Sequence, residues 1–346
     1  MKNTTFHNMT CKNSVDSAQI QHPFFGMVEI ISSCNSRCAY CYCWKNSQNS
    51  SELTPEVCEL LFPEMVSLGV RKLIITGGEP LLHQHLEEIV KIAYSNRLHT
   101  SIVTNGLYLK YKCLNSLKKA GLLGLTLSLD TLDPITYQQL RGVSFDLVKN
   151  AVSLISDLAE EKSLSISVNC VLTALNYPHL VEFVNFFTDQ GVPVMIQPCN
   201  TDAQTEMAYL LPDKENISGV RVTIDTLIKM KQQGALILNS ASFLQNIIDY
   251  WNRNIDKQTF RCYYSYVNVT VKHNGDVIPC WRLPVVDNIH SKSLTKIWES
   301  DEFYRRRQQM ISGNCPGCWL SCSFDWKTLW HQEEQVNTFW QNEGGI

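Results

Sequence analysis

From Met27 to about residue 235, short apolar runs rich in β-branched residues alternate with stretches whose apolar residues recur every three or four positions. That alternation is the signature of parallel βα units. It predicts strands near 27–32, 72–76, 100–104, 124–130, 165–172 and 192–198. A first helix follows Thr54, a natural N-cap, with Pro55 at its first position and Gly69 able to close its end. Pro63 is a misfit inside it and predicts a kink or break. Further helices are expected over 83–96, 109–120, 134–141, 146–160, 178–190 and 214–233.

Six βα units are too few to close an eight-stranded barrel, so the pattern predicts an open, partial (β/α)6 TIM-like barrel of the α/β class, with its chemistry at the C-terminal strand ends. Strand parity agrees. Within 123–130, Leu125, Leu127 and Leu129 share one face while Thr126, Ser128 and Asp130 share the other, and a barrel enzyme turns such a polar face inward.

After residue 235 the rhythm stops. Runs at 267–271 and 277–278 read as a hairpin joined through His273-Asn274-Gly275-Asp276, in which Asn-Gly is a strong turn signal. An amphipathic helix carrying Leu294, Ile297, Trp298 and Phe303 leads into a cysteine cluster. The expected organisation is an N-terminal extension (1–26), the barrel (27–235), a linker helix region (236–259), a small cysteine-rich α+β domain (260–325) and a tail (326–346).

With 346 residues and 44% hydrophobic content, the chain can bury such a core. Its formal charge of −3 and the short Arg305-Arg306-Arg307 run give no support for a nucleic-acid surface. No stretch reaches the roughly 18 apolar residues of a membrane span, and the N-terminus lacks an apolar signal region, so no membrane partner and a cytoplasmic location are expected. In that compartment grouped cysteines point to metal rather than disulfides. The 14 cysteines are grouped unevenly: four lie within 34–43, three within 315–322, Cys262 and Cys280 form a looser pair, and the rest scatter.

Cys34-Asn35-Ser36-Arg37-Cys38-Ala39-Tyr40-Cys41 sets three thiols at spacings of four and three, just after the first strand. This run, with the aromatic Tyr40 before its third cysteine, resembles the motif of the radical S-adenosylmethionine (SAM) superfamily. The resemblance implies that Cys34, Cys38 and Cys41 hold three irons of a [4Fe-4S] cluster. SAM would chelate the fourth iron, and an electron from the cluster would cleave it to a 5′-deoxyadenosyl radical. A zinc site would want a fourth ligand, which Cys43 could supply.

Other segments fall where the resemblance needs them. Gly77-Gly78-Glu79-Pro80 matches the family's glycine-rich segment, which lets the backbone approach the SAM amino group. Thr104-Asn105-Gly106 and Ser128-Leu129-Asp130 resemble its ribose- and methionine-facing positions. Asn169 and Arg141 are further SAM-contact candidates, with a structural hydrogen-bonding role as the alternative.

Cys262, Gly275, Cys280, Cys315-Pro316-Gly317-Cys318 and Cys322 resemble the auxiliary-cluster extension called SPASM, or its shorter relative, twitch. Five cysteines imply one auxiliary [4Fe-4S] cluster with one thiol spare. Cys262, Cys280 and Cys318 are the first choices, and the fourth ligand is Cys315 or Cys322. A zinc ribbon is the alternative.

The resemblance leaves the substrate open. Enzymes with such extensions often modify ribosomally made peptides, so a peptide is the leading expectation. The alternative is a small-molecule dehydrogenase, cyclase or epimerase. Ser128-Leu129-Asp130-Thr131-Leu132-Asp133-Pro134 resembles cofactor-biosynthesis cyclases. Only 33 residues precede Cys34, so a peptide substrate is expected to need direct docking on the barrel or a separate leader-binding protein. A flavodoxin- or ferredoxin-type reductant is implied as well. Cys199, at the mouth end of the sixth strand on the face of Gln197, is a candidate hydrogen donor to a substrate radical.

Overall fold

The computed structural model describes residues 22–46, 51–159, 164–200, 206–252 and 261–320. Six βα strands occur where the pattern places them: β1 (Phe25–Glu29), β2 (Lys72–Thr76), β3 (His99–Thr104), β4 (Gly124–Ser128), β5 (Ser165–Leu172) and β6 (Val194–Pro198). Between them run α1 (Pro55–Leu68), α2 (Leu86–Ser95), α3 (Tyr111–Lys119), α4 (Pro134–Arg141), α5 (Lys149–Asp157) and α6 (Leu180–Asp189). The long helix α7 (Ile217–Gln232) and the short α8 (Ala241–Gln245) and α9 (Ile247–Trp251) follow β6. All five barrel pairings from β1 to β6 are parallel, each strand beside the next in sequence.

The two strand faces differ as the alternation predicts. Val28, Leu73, Ile75, Ile102, Leu125, Leu127, Val168, Val194 and Ile196 are buried in one continuous apolar core under the helices. Met27, Ser101, Thr126, Ser128, Ser167, Asn169, Met195 and Gln197 occupy the other face and are half-buried. Thr126 and Ser167 hydroxyls meet there at 3.0 Å across neighbouring strands.

Of the kink or break expected at Pro63, the break does not occur: α1 runs on through it. Pro63 sits on the exposed side of the helix, where the carbonyl left without its amide partner can turn to water. Gly69 closes the helix in the left-handed conformation (φ +108°), its N–H donating to the Val66 carbonyl at 3.0 Å.

The second unit begins with α10 (Tyr264–Val267) and the strands β7 (Asn268–Val271), β8 (Asp276–Ile278) and β9 (Asp287–Asn288). The predicted hairpin is present, with Gly275 at φ +86°. It does not stand apart from the barrel. β7 pairs in parallel with the free edge of β1, giving a nine-stranded sheet in the order β6-β5-β4-β3-β2-β1-β7-β8-β9. The helix expected around Leu294 is two helices, α11 (Leu294–Trp298) and α12 (Asp301–Ile311). Ser300 separates them, its hydroxyl capping the second by accepting from the Phe303 N–H at 3.2 Å.

The far end of this unit reaches the opposite barrel edge. Trp319 is buried, stacks on Phe243 of α8 at 5.7 Å and donates its Nε1–H to the Phe243 carbonyl. Its backbone N–H donates to Asn200, just past β6, at 3.1 Å. The cysteine-rich unit therefore holds both β1 and the β6 end, across the side that six strands leave open. Among the described residues, no helix is long and apolar enough to cross a membrane.

Candidate active site

The loop after β1 carries Cys34, Cys38 and Cys41, and three segments at the barrel mouth brace it. The first is Gly77-Gly78, after β2. Gly78 N–H donates to the Ile31 carbonyl at 2.7 Å, and Glu79 N–H to the Ser33 carbonyl at 2.8 Å. A Cβ on Gly78 would lie 2.1 Å from the Ser33 oxygen, and one on Gly77 2.4 Å from the Ile31 oxygen. The close approach for which the glycines were read, toward SAM, is in this structure an approach to the cysteine loop itself.

The second brace is Glu79. Burial pushes its carboxyl up, and hydrogen bonds from Thr104, Asn105 and Leu81 oppose that shift. Thr104 hydroxyl donates at 2.6 Å and Asn105 N–H at 2.7 Å, while Leu81 N–H donates at 3.0 Å. Thr104 was expected to face the ribose, but its hydroxyl is committed: it also accepts from Gly106 N–H at 3.0 Å. Pro80 starts a short 3-10 turn behind the glutamate. Asn105 instead reaches the loop, its amide donating to Asn35 Oδ1 at 2.7 Å and approaching Cys34 Sγ at 3.9 Å.

The third brace joins Asp130, after β4, to the end of α4. Arg141 Nε and Nη2 donate to the two Asp130 oxygens at 2.7 and 2.9 Å. The same carboxylate accepts from Tyr40 hydroxyl at 2.6 Å and from Val171 N–H at 2.8 Å. Four donors thus converge on Asp130, which supports the loop. Arg141 also directs its Nη1 at Cys38 Sγ, at 3.8 Å. Backbone carbonyls of Leu140 and Arg141 accept from Ala39 and Arg37 N–H groups, and Gly142 at φ +68° lies too close to Arg37 to admit a Cβ.

Sequence reasoning missed Ser36. It is buried, donates to the Arg141 carbonyl at 2.8 Å, lies 3.3 Å from Cys38 Sγ, and directs its backbone N–H at Cys34 Sγ at 3.5 Å. Asn176 was missed too; its amide donates to the Asp130 and Val171 carbonyls. A serine between cysteines or an asparagine beyond a strand carries no local signal of such contacts.

Burial pushes the Cys34 thiol up to about 11, with the Cys38, Glu79 and Cys41 charges adding to the effect. Cys41 is lowered to about 6, first by the hydrogen bond from the Cys43 thiol, which is itself raised. Among the described residues, two buried amide atoms on this side of the barrel lack hydrogen-bond partners: Asn35 Nδ2, next to Cys34, and Asn169 Oδ1, on the inner face beside Ser128. An open donor and an open acceptor, with three thiols and N–H groups aimed at sulfur, fit a thiolate-held cluster and a polar cofactor.

In the second unit, Cys262, Cys280, Cys315 and Cys318 line one cavity, with Tyr264, Trp281 and Met310. Cys322 lies outside the described residues. Among the described residues, none of the cysteines is in a disulfide, and no three His, Cys, Asp or Glu side chains are grouped closely enough to hold a metal ion. Cys199 is not at an open mouth: it is buried with Leu140, Met207 and Leu210, and burial pushes its thiol up to about 12.

Residues 28–187 match the radical SAM superfamily, and residues 262–323 match SPASM, an iron-sulfur cluster-binding domain. A probable GTP 3',8-cyclase of Methanocaldococcus jannaschii is 26% identical over 73% of this chain and 83% of its own. Its counterpart in Methanococcus aeolicus is 33% identical, but the match spans only 49% of this chain and 57% of that one. The PqqA peptide cyclase of Rhizobium meliloti is 24% identical over 87% of this chain and 80% of its own. Among solved structures, Streptococcus suis SuiB bound to S-adenosylmethionine superposes with a TM-score of 0.66 at 18% identity, covering 83% of this chain and 68% of that one. SuiB has also been solved with its precursor peptide SuiA. At that identity the likeness concerns the fold.

Proposed function

The chain belongs to the radical SAM superfamily, with a C-terminal SPASM domain, and we propose that it modifies a ribosomally made peptide. The enzyme uses a [4Fe-4S] cluster, SAM and an auxiliary iron-sulfur cluster. In the proposed assignment, Cys34, Cys38 and Cys41 hold the first cluster, and Cys262, Cys280, Cys315 and Cys318 the auxiliary one. Bound together, SAM and the reduced cluster supply a 5′-deoxyadenosyl radical that takes a hydrogen atom from the substrate.

The chain's own residues prepare that event. Gly77 and Gly78 seat the cysteine loop, while Asp130 holds Tyr40 and Arg141 against it. Asn35 and Asn105 offer amide donors next to Cys34, and Ser128 and Asn169 offer polar contacts on the inner face for SAM. A flavodoxin- or ferredoxin-type protein is the proposed electron source, and a separate leader-binding protein can present the peptide.

One observation carries the peptide reading: the likeness to a peptide cyclase covers 87% of this chain and 80% of that protein. The second reading, a small-molecule radical enzyme, has the likeness to GTP 3',8-cyclases in its favour. Anaerobic reconstitution with iron and sulfide, followed by SAM and dithionite, tests the generator. About eight irons per chain, two four-iron clusters, is the expected load. 5′-Deoxyadenosine should form with the wild type and not with a Cys34, Cys38 and Cys41 triple Ala variant. Short peptides encoded beside the gene and GTP are then offered in parallel. A mass change in a peptide supports the first reading, and conversion of GTP replaces it with the second. An unchanged product and rate in Cys199→Ala would end the hydrogen-donor role of that thiol.

A further inference from the structure

Among the described residues, three carboxylates are buried around the cysteine loop, and two are well supplied with donors. Glu79 accepts from Thr104, Asn105 and Leu81, and Asp130 from Tyr40, Arg141 and Val171. The third, Glu29, is 5% exposed and receives no hydrogen bond among the described residues. It ends β1 on the inner face. One step beyond the Val28–Val271 pairing, its neighbour across the seam is Lys272, at the end of β7. The charges of Lys272 and Cys41 both act on Glu29, yet it forms no ion pair with Lys272.

Glu29 lacks the donors that the other two carboxylates have, and burial penalises its charge. The strand register instead sets one negative and one positive charge side by side, and the negative one interacts with the Cys41 charge. In a poorly screened interior, a nearby negative charge disfavours adding an electron to a cluster, and a positive charge favours it.

We propose that Glu29 and Lys272 are opposed charges that set the reduction potential of the cluster held by Cys34, Cys38 and Cys41, Glu29 lowering it and Lys272 raising it. The inference rests on assigning that cluster to these three cysteines. It makes the two residues positioning groups for electron transfer, one from the barrel and one from the cysteine-rich unit. It also gives the β1–β7 seam a role in tuning when SAM can be reduced.

The test is an anaerobic redox titration followed by electron paramagnetic resonance, without substrate, at pH 8.5. Burial, the largest effect on Glu29, pushes its carboxyl up to about 7, so this pH ionises it. Glu29→Gln should shift the midpoint upward by at least a tenfold change in the reduced-to-oxidised ratio, about 59 mV for one electron. Lys272→Met should shift it downward. Glu29→Asp, which keeps the charge, should stay near wild type, as should Lys72→Met at the far end of the barrel strands.

Wild-type midpoints in both Glu29→Gln and Lys272→Met, with iron and sulfide unchanged, overturn the inference and leave the cluster assignment standing. If Glu29→Gln fails to hold iron, Lys272→Met decides alone: a downward shift supports the inference, and none overturns it. Retention of the cluster signal by the Cys34, Cys38 and Cys41 triple Ala variant would instead overturn the assignment beneath it.

Discussion

Arg141 grips Asp130 through two hydrogen bonds, Nε to Oδ2 at 2.7 Å and Nη2 to Oδ1 at 2.9 Å, with both side chains sealed from solvent. The pair links the end of β4 to the end of α4, and Tyr40 joins it from the cysteine loop. Asp130→Ala would strand the guanidinium in the interior. A loss of about 3–5 kcal/mol is expected in denaturant unfolding. Asp130→Asn keeps the shape and should lose less. Both should load less iron, because Tyr40 loses the carboxylate that holds it.

Gly78 tests the loop's seating by sterics alone. In Gly78→Ala the new methyl would meet two backbone oxygens, Ser33 at 2.1 Å and Ser32 at 2.5 Å, and neither can rotate away as a side chain could. The loop must shift, at a cost of about 1–3 kcal/mol. Reconstitution should then give fewer irons at the first cluster, with the auxiliary site still filled. A full iron load and unchanged 5′-deoxyadenosine formation would contradict the seating role.

Trp319 tests the reach of the cysteine-rich unit across the barrel. It follows Cys318 directly and is locked against Phe243 and Asn200. Trp319→Ala should cost about 3–5 kcal/mol in unfolding, as for a large core aromatic. Auxiliary iron should be lost preferentially, since Cys318 loses its anchor. Equal loss from both clusters would point to general unfolding instead.

The parts legible in the sequence were those encoded by local period or fixed spacing. The alternation of 123–130 put Thr126 and Ser128 on the inner face, and the cysteine spacing marked the loop after β1. Long-range pairing was not legible. Nothing in 268–271 specifies β1 as its neighbour, because a strand's period gives its faces and not its partner. The family resemblance makes Asp130 and Thr104 ligand-facing. Whether such a side chain is free depends on donors far away in sequence, such as Val171 N–H on Asp130 and Gly106 N–H on Thr104. Glu29 was invisible for the opposite reason: its interest lies in partners it lacks.

His99 gives the fold a pH dependence whose sign follows from its site. It starts β3 on the inner face beside Lys72, and burial first, then the Lys72 charge, lowers it to about 4. Unfolded, it titrates near 6.5. The folded state therefore holds His99 neutral where the unfolded chain would take up a proton. Its contribution is fully present above about pH 6.5 and is lost as pH falls toward and through 4. Lys72, lowered by burial to about 8, stays charged throughout this window and keeps opposing the imidazolium. The difference in stability between pH 7 and pH 4 should be greater for the wild type than for His99→Gln by up to about 3 kcal/mol. Urea unfolding of both proteins at the two pH values measures it. Parallel loss in the two would mean that carboxylates elsewhere govern the acid limb, and that His99 is solvated well enough to titrate normally.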